Sequence, residues 1–446
     1  MNLKLTIQKY SKRGHGLAPL EDRPAQAEVV GSVIGDTVSI ELGKKKKKTY
    51  STTLLEVLTP SNDRVKPRCQ HVGSCGGCTW QQKSYDAQVN AKQALLSALF
   101  QVEPLPLIRC VDPWQYRNKM EFSFSQNRDG EKFLGLMIAR SKGRVLNLEE
   151  CHLTKPWFID VLKAVRQWFQ TSDLKAYHMH SDTGTLRTLT LREGANGKMV
   201  FLTISGNPQH CMSAKDIVTF KEAVRSVIKN PSLFLRIQKI AKGVPTQFFE
   251  MHLGGPQQIE ETLHVGEREI KFKISPDSFF QPNPRQAEKL YASALNIAEP
   301  KKTDVVFDLY CGTATLGIVF APFVKKVIGI ELNPYAVCDA EVNISENKIE
   351  NIKVYKGDVG ERLSLISEPA DIVILDPPRS GLNPTAIKHL LRLSPKKIVY
   401  ISCNPKTQSE NISELISSGY TLKTVLGVDQ FPHTVHLETI ALLEKA

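Results

Sequence analysis

From Ser275 onward the chain alternates short apolar runs with helical patterns: VVFDL, KKVIGIEL, NIKVYKGD, ADIVILDPP and KIVYIS are separated by amphipathic stretches. Strands that are apolar throughout are buried on both faces, and alternation with helices is how a chain builds a parallel sheet. The pattern predicts a doubly wound α/β domain over residues 271–446, Rossmann-like, with its function at the carboxyl ends of the strands.

The first strand-to-helix turn reads Gly312-Thr-Ala314-Thr-Leu-Gly317, and Glu331 ends the next strand 19 residues after Gly312. This is the dinucleotide fingerprint with its middle glycine replaced. That glycine lets backbone approach a pyrophosphate, so Ala314 disfavours one, while the acidic residue still suits ribose hydroxyls. S-adenosylmethionine carries the same adenosine without phosphates and fits better than a dinucleotide. Asp358, after the third strand, can accept from an adenine amino group; a helix N-cap is the ordinary alternative. Asp376-Pro377-Pro378 closes the fourth strand and turns a carboxylate toward cofactor and substrate.

The fifth strand delivers Ser402-Cys403-Asn404-Pro405. Filler cysteines prefer apolar surroundings such as LYC at Cys311, so a thiol in this polar turn reads as a nucleophile. Near the C-terminus Glu438 opens an otherwise apolar strand, ETIALLE, and a carboxylate there needs a reason. His433 and His436 form no metal pattern.

Upstream, LKLTIQKY, QAEVVG, DTVSIELG and TYSTTLLEVL are short and β-branched, bounded by Gly, Asp or Pro. They predict a small all-β barrel of the five-stranded kind that binds oligonucleotides, over residues 1–62. The chain carries 58 Lys and Arg against 46 Asp and Glu, a formal charge of +12. Residues 1–68 hold 13 of those cations against 7 acids, half of the excess in about a seventh of the chain. A basic module of this size suggests a polyanion partner. Lys44 to Lys48 would project from one hairpin break, although such a run also serves as a solvated tip.

After the Pro60–Pro67 linker comes Cys69-x5-Cys75-x2-Cys78. Three thiols this close, with glycines between them, predict a structural metal centre. Zinc and iron–sulfur clusters both suit, and both want a fourth ligand. Cys151, in a polar turn before a helix, is chosen over Cys110. His71 and His152 are read as surface or supporting groups. Residues 63–270 otherwise read as an α+β unit around this knot, with antiparallel strands in YRNKMEFSFSQN, KFLGLMIARSKGRVLNL, LRTLTLRE and KMVFLTISG. PWFIDVLKAVRQWFQ and WQQKSYDAQVNAKQALLSALF read as helices. Arg117, Asn118 and Lys119 form a polar cluster able to touch phosphate. The N-terminus resembles no signal peptide and no apolar run reaches a membrane span, so a cytoplasmic protein without disulfides is expected.

A methyl donor, a thiolate, a carboxylate base and a basic module fit one chemistry. C5 of uracil is too poor a nucleophile to take a methyl group until a thiolate adds at C6. Cys403 would attack and Glu438 would remove the C5 proton. A stacked base must be flipped out for this, which favours loops or single strands of RNA.

These residues resemble those of the RNA uridine-C5 methyltransferases, in the iron–sulfur branch typified by the enzymes of bacterial 23S rRNA, some members of which act on transfer RNA. The resemblance spans nearly the whole chain. It implies a TRAM-like N-terminal barrel, a [4Fe-4S] cluster on Cys69, Cys75, Cys78 and Cys151, and a central unit marked by YRNKMEFSF. It further implies S-adenosylmethionine contacts from Gln281 of SFFQPN, Tyr310 of DLYCG, Glu331 and Asp376, with Phe279 placed to stack on uridine. SCNP supplies Cys403 and HLETI supplies Glu438. Relatives usually read Cys-Gly-x-Gly-Asn where this chain has Cys311-Gly-Thr-Ala314-Thr315, so the usual asparagine contact is not carried over. The barrel and cysteine knot favour 23S rRNA as the substrate, and a monomer is expected; a transfer RNA enzyme of the same chemistry and a noncatalytic RNA-binding protein are the alternatives. Adenine-N6 methylation through Asp-Pro-Pro wants an aromatic residue where Arg379 stands.

Overall fold

The computed structural model describes residues 2–21, 23–141, 143–240, 243–244 and 246–446. Its C-terminal part is built on an eight-stranded sheet: β1 (Leu105–Ile108), β2 (Val305–Leu309), β3 (Lys326–Glu331), β4 (Ile352–Lys356), β5 (Ile372–Leu375), β6 (Lys397–Ser402), β7 (Tyr420–Val428) and β8 (Glu438–Lys445). The order across the sheet is β4-β3-β2-β5-β6-β8-β7-β1. Strands β2 to β6 run parallel, and β8 is antiparallel to both β6 and β7. Alternate residues of one strand feed different cores: Val306 joins Phe272, Ala294 and Phe320, whereas Phe307 joins Leu390, Tyr400 and Leu415. Each fully buried aliphatic or Phe side chain contributes about 1.5–3 kcal/mol, which is why strands flanked on both sides carry no polar face.

Four helices of this part start with Asn-Pro, a residue pair suited to the cap and first helical position. Asn283, Asn333 and Asn383 each accept a hydrogen bond from a backbone N–H of their own first turn. Asn404 makes no such cap bond.

The N-terminal unit has six strands, Asn2–Thr6, Lys9–Tyr10, Gly16–Leu20, Arg23–Val29, Thr37–Lys46 and Thr49–Thr59, around a core that includes Ile7, Ala27, Val29, Val38 and Ile40. Gly16–Leu20 was not anticipated, because its proline and glycine weaken the strand pattern. The lysine run is partly strand: Thr37–Lys46 continues through it, and the hairpin turns at Lys47, whose φ is +56°. All five lysines, Lys44 to Lys48, are exposed.

The central unit carries a seven-stranded sheet covered by helices Pro156–Thr171 and Ala214–Arg225. Helix Tyr85–Leu99 starts later than expected, at the cap Ser84, which accepts from the Ala87 N–H. The boundaries drawn at 63–270 and 271–446 do not follow the packing. β1 adds to β7 at the edge of the C-terminal sheet, and Leu96, Phe100 and Leu107 enter that sheet's core. The hairpin Ile259–Val265 and Arg268–Ile274 straddles residue 270, and its Ile259, Ile270 and Phe272 join the C-terminal core along with Met199 and Phe201 of the central sheet. Such pairings between distant segments leave no local signature. No helix among the described residues is long and apolar enough to cross a membrane.

Candidate active site

The turn after β2 takes three left-handed residues in alternation, Tyr310 (φ +63°), Gly312 (+54°) and Ala314 (+59°). Glu331 at the end of β3 pins it: one carboxylate oxygen accepts from the Gly312 N–H at 3.0 Å and the other from the Asn333 N–H at 2.8 Å. A Cβ placed on Gly312 would meet nothing within 4 Å, so this turn borders open space. Asp358 is the N-cap of helix Val359–Leu365, its Oδ1 accepting from Gly360 at 2.8 Å and Glu361 at 3.2 Å. The ordinary alternative for Asp358 is thus met in full by one oxygen.

Asp376 follows β5, and burial pushes its carboxyl up to about 7. Asp308, on β2, reaches about 7 for the same reason; the Gly317 N–H, donating at 2.8 Å, opposes the rise. Its other oxygen is buried without a partner. Asp308 was overlooked in the sequence, although a carboxylate inside VVFDL poses the same question as Glu438 inside ETIALLE.

Cys403 and Glu438 come from neighbouring antiparallel strands. The ladder pairs Ser402 with Thr439, and the Thr439 hydroxyl donates to the Ser402 carbonyl at 3.0 Å. The residues just beyond this pair, Cys403 and Glu438, are therefore adjacent. Burial first, and then the neighbouring Asp376, push Glu438 well above the usual carboxylate range. Burial first, and then Glu438, raise the Cys403 thiol, and the charge of Arg379 works the other way.

The segment leading to Glu438 is held from several directions. Lys92 and Asp429, both fully buried, pair at 2.6 Å, and the Tyr85 hydroxyl donates to Asp429 at 2.8 Å. His433 adopts φ +65° and stacks on Trp114 with ring centroids 3.9 Å apart. Its carbonyl accepts from the N–H groups of Thr79 and Trp80, directly after Cys78. Burial pushes His433 and His436 down to about 4, so both are neutral at physiological pH. Gln281 is buried and accepts from Gln430 at 3.2 Å.

Cys69, Cys75, Cys78 and Cys151 line one cavity of about 390 Å³, together with His71, Arg117, Lys119 and Phe279. All four are free thiols, and the Gly77 N–H donates to the Cys75 sulfur at 3.4 Å. Cys110 lies elsewhere, buried beside Asn283. Among the described residues no three His, Cys, Asp or Glu side chains close on a single metal ion. Phe279 is 66% exposed on the cavity rim, and its loop continues to Gln281, so the cysteine cavity and the Gln281 network adjoin.

A largely parallel sheet with an acid-pinned turn at one strand end and a thiol beside a buried carboxylate at another fits a group-transfer enzyme of the methyltransferase class. Residues 228–446 match the family described as tRNA (Uracil-5-)-methyltransferase. The chain is 46% identical over 439 residues to an uncharacterized RNA methyltransferase of Protochlamydia amoebophila, covering 93% of this chain and 99% of that protein. It is 34% identical over 447 residues to one of Caldanaerobacter subterraneus subsp. tengcongensis, covering 99% and 98%. The crystal structure of Pyrococcus abyssi tRNA (uracil-54, C5)-methyltransferase in complex with S-adenosyl-L-homocysteine has the same fold, with a TM-score of 0.75 at 24% identity over 99% of this chain and 100% of that one. The chain belongs to the RNA (uracil-5-)-methyltransferase family, whose members are S-adenosylmethionine-dependent enzymes.

Proposed function

We propose that this protein forms 5-methyluridine in RNA with Cys403 as nucleophile and Glu438 as base, and that its substrate is 23S rRNA. The observation that carries the chemistry is the β6–β8 register, which places a thiol and a buried carboxylate side by side at the end of the sheet. The residues around the Gly312 turn fit the methyl donor. Glu331 retains lone pairs for ribose hydroxyls beyond its two backbone bonds, Asp358 keeps Oδ2 for the adenine amino group, and Tyr310, Gln281 and Asp376 close the remaining sides. When bound, S-adenosylmethionine supplies a sulfonium methyl group as the electrophile.

The chain's own residues do the rest. The Cys403 thiolate adds to C6, forming an S–C6 bond and moving the C5–C6 π pair onto O4 as an enolate. Once C5 carries the methyl group, Glu438 takes the C5 proton; the released pair re-forms the double bond and expels the thiolate. A carboxylate held well above its usual range is the stronger base for this step.

Residues 1–62 act as a TRAM-like RNA-binding module. Cys69, Cys75, Cys78 and Cys151 hold a [4Fe-4S] cluster; their opening together on one cavity supports reading them as a single ligand set. A transfer RNA substrate is the second reading, favoured by the Pyrococcus abyssi enzyme, which shares the architecture over its whole length. Labelled methyl donor offered with ribosomal and transfer RNA pools in parallel, followed by nucleoside digestion, decides between them. Label in 5-methyluridine from 23S rRNA is expected; label in 6-methyladenosine, or in neither pool, rejects the proposal.

A further inference from the structure

The central strand Leu186–Glu193 carries a charge where its surroundings are apolar. The ladder pairs Arg192 with Lys119 on one side and Met199 on the other, and directly opposed residues share a face of the sheet. That face sends Met199, Phe201 and Phe234 into the apolar core of the C-terminal part. Arg192 is fully buried there. Its Nη1 donates to the Ser278 carbonyl at 2.8 Å, whereas Nε and Nη2 are buried without a hydrogen-bond partner among the described residues. Burial pushes the guanidinium down to about 10, opposed by Glu261 and Asp339, so the group is still a cation at physiological pH. A buried cation with two unsatisfied nitrogens is costly to the fold. An apolar side chain would pack beside Met199 without that cost; what arginine adds is the bond to Ser278.

Ser278 anchors the loop that leads from the Arg268–Ile274 strand to helix Pro284–Ala298. Its hydroxyl accepts from the Ser275 N–H at 3.0 Å and donates to Asp339 of helix Pro334–Glu346. The Ser275 hydroxyl donates to the same carboxylate at 2.6 Å. Farther along, Gln281 has supports of its own, its carbonyl accepting from the Asn118 amide at 3.3 Å and its side chain from Gln430 at 3.2 Å. Phe280 is a plug, buried against Phe272. Phe279 stands exposed between these anchors, so the direction of its ring is set by Ser278 before it and Phe280 after it.

We propose that Arg192 is a positioning residue for the substrate: by holding the Ser278 carbonyl it aims the Phe279 ring at the flipped-out uridine. The assignment rests on Phe279 being the ring that stacks on that base. A stacking platform is worth most when it is held in place before the base arrives, because ordering an exposed loop on binding subtracts from affinity. A guanidinium suits the task, since its fork is rigid and, out of water, its bond to Ser278 has no solvent competitor. Arg236 holds the same loop one residue earlier through Asp277, but it shares its charge with Glu250 and keeps some access to solvent.

The test is steady-state methylation of an unmodified in vitro transcript of 23S rRNA, or of transfer RNA where that pool takes the label, with thermal unfolding as the folding control. Arg192→Met should raise KM for RNA about tenfold, within the range that one base stacked on an aromatic ring contributes. It should leave kcat within about twofold, because a contact made equally in ground and transition states appears in KM alone. Arg192→Lys, which keeps the cation without the fixed fork, should recover part of the loss; if Arg192→Met does not fold, a KM above wild type in Arg192→Lys is the expected result. Phe279→Ala should raise KM at least as far as Arg192→Met, and combining the two should add little, since they act as one unit. An unchanged KM in the Arg192 variants, or an equal further rise in the Phe279→Ala background, would overturn the role of Arg192 and leave the stacking of Phe279 standing. An unchanged KM in Phe279→Ala would overturn both.

Discussion

Cys403 and Glu438 are neighbours across two antiparallel strands because the ladder between β6 and β8 pairs Ser402 with Thr439. The last parallel strand of the sheet thus supplies the thiol, and the strand that returns beside it supplies the carboxylate. The Thr439 hydroxyl locks the register through the Ser402 carbonyl and the Gln408 side chain, the latter at 2.6 Å. A one-residue slip would turn Glu438 to the other face of the sheet.

The buried carboxyls give the fold a pH signature. An unfolded Asp titrates near about 3.9, while burial carries Asp308 up to about 7. The folded state then favours the protonated form, so this contribution to stability is full below about 4 and is lost as pH rises through about 7. Asp308→Asn should therefore gain on wild type in thermal midpoint as pH rises from 5 to 7, and the gap should level off above that. A gap independent of pH would contradict the buried, protonated carboxyl.

The Lys92–Asp429 pair has no access to solvent. Lys92→Met leaves Asp429 buried with the Tyr85 hydroxyl as its remaining side-chain donor, and should cost about 3–5 kcal/mol in urea unfolding. Lys92→Met with Asp429→Leu should recover much of that loss, since removing both charges removes the uncompensated one. Equal losses in the single and double variants would contradict this account.

Anaerobic purification should yield a brown protein containing iron and acid-labile sulfide, and Cys151→Ser should lower both. A colourless, zinc-loaded and active protein would replace the cluster with a single-ion site. Because Thr79 and Trp80 hold the His433 carbonyl, metal removal should also raise amide exchange in residues 429–437, measured by mass spectrometry.

Lys44 to Lys48 stand exposed around a hairpin turn. Replacing all five with glutamine should weaken RNA binding and flatten its salt dependence by about 0.7–0.9 in log–log slope for each lysine that docks on a phosphate. An unchanged slope in filter binding would make the run a solvated tip.

Much of this site was legible because its chemistry sits where packing does not want it. Glu438 interrupts ETIALLE, Cys403 stands in a polar turn, and Asp376 precedes two prolines; each breaks a local rule at a strand end. Asp308 broke the same rule and was missed beside the more familiar glycine turn. The apolar alternation predicted the parallel strands, but not the addition of Leu105–Ile108 to the sheet or the hairpin around residue 270, because those depend on partners hundreds of residues away or on a shared core. The four cysteines were grouped by spacing and polarity, and they do open on one cavity.

The central claim is covalent catalysis by Cys403 with Glu438 as the base, and one measurement addresses it directly. Glu438→Gln enzyme is incubated with substrate RNA and S-adenosylmethionine, digested with protease and nuclease, and the Cys403 peptide is analysed by mass spectrometry. The account predicts a trapped adduct, the Cys403 peptide carrying a uridine nucleotide one methyl group heavier, because the C5 proton cannot be removed. An unmodified Cys403 peptide alongside full methyl transfer would contradict it.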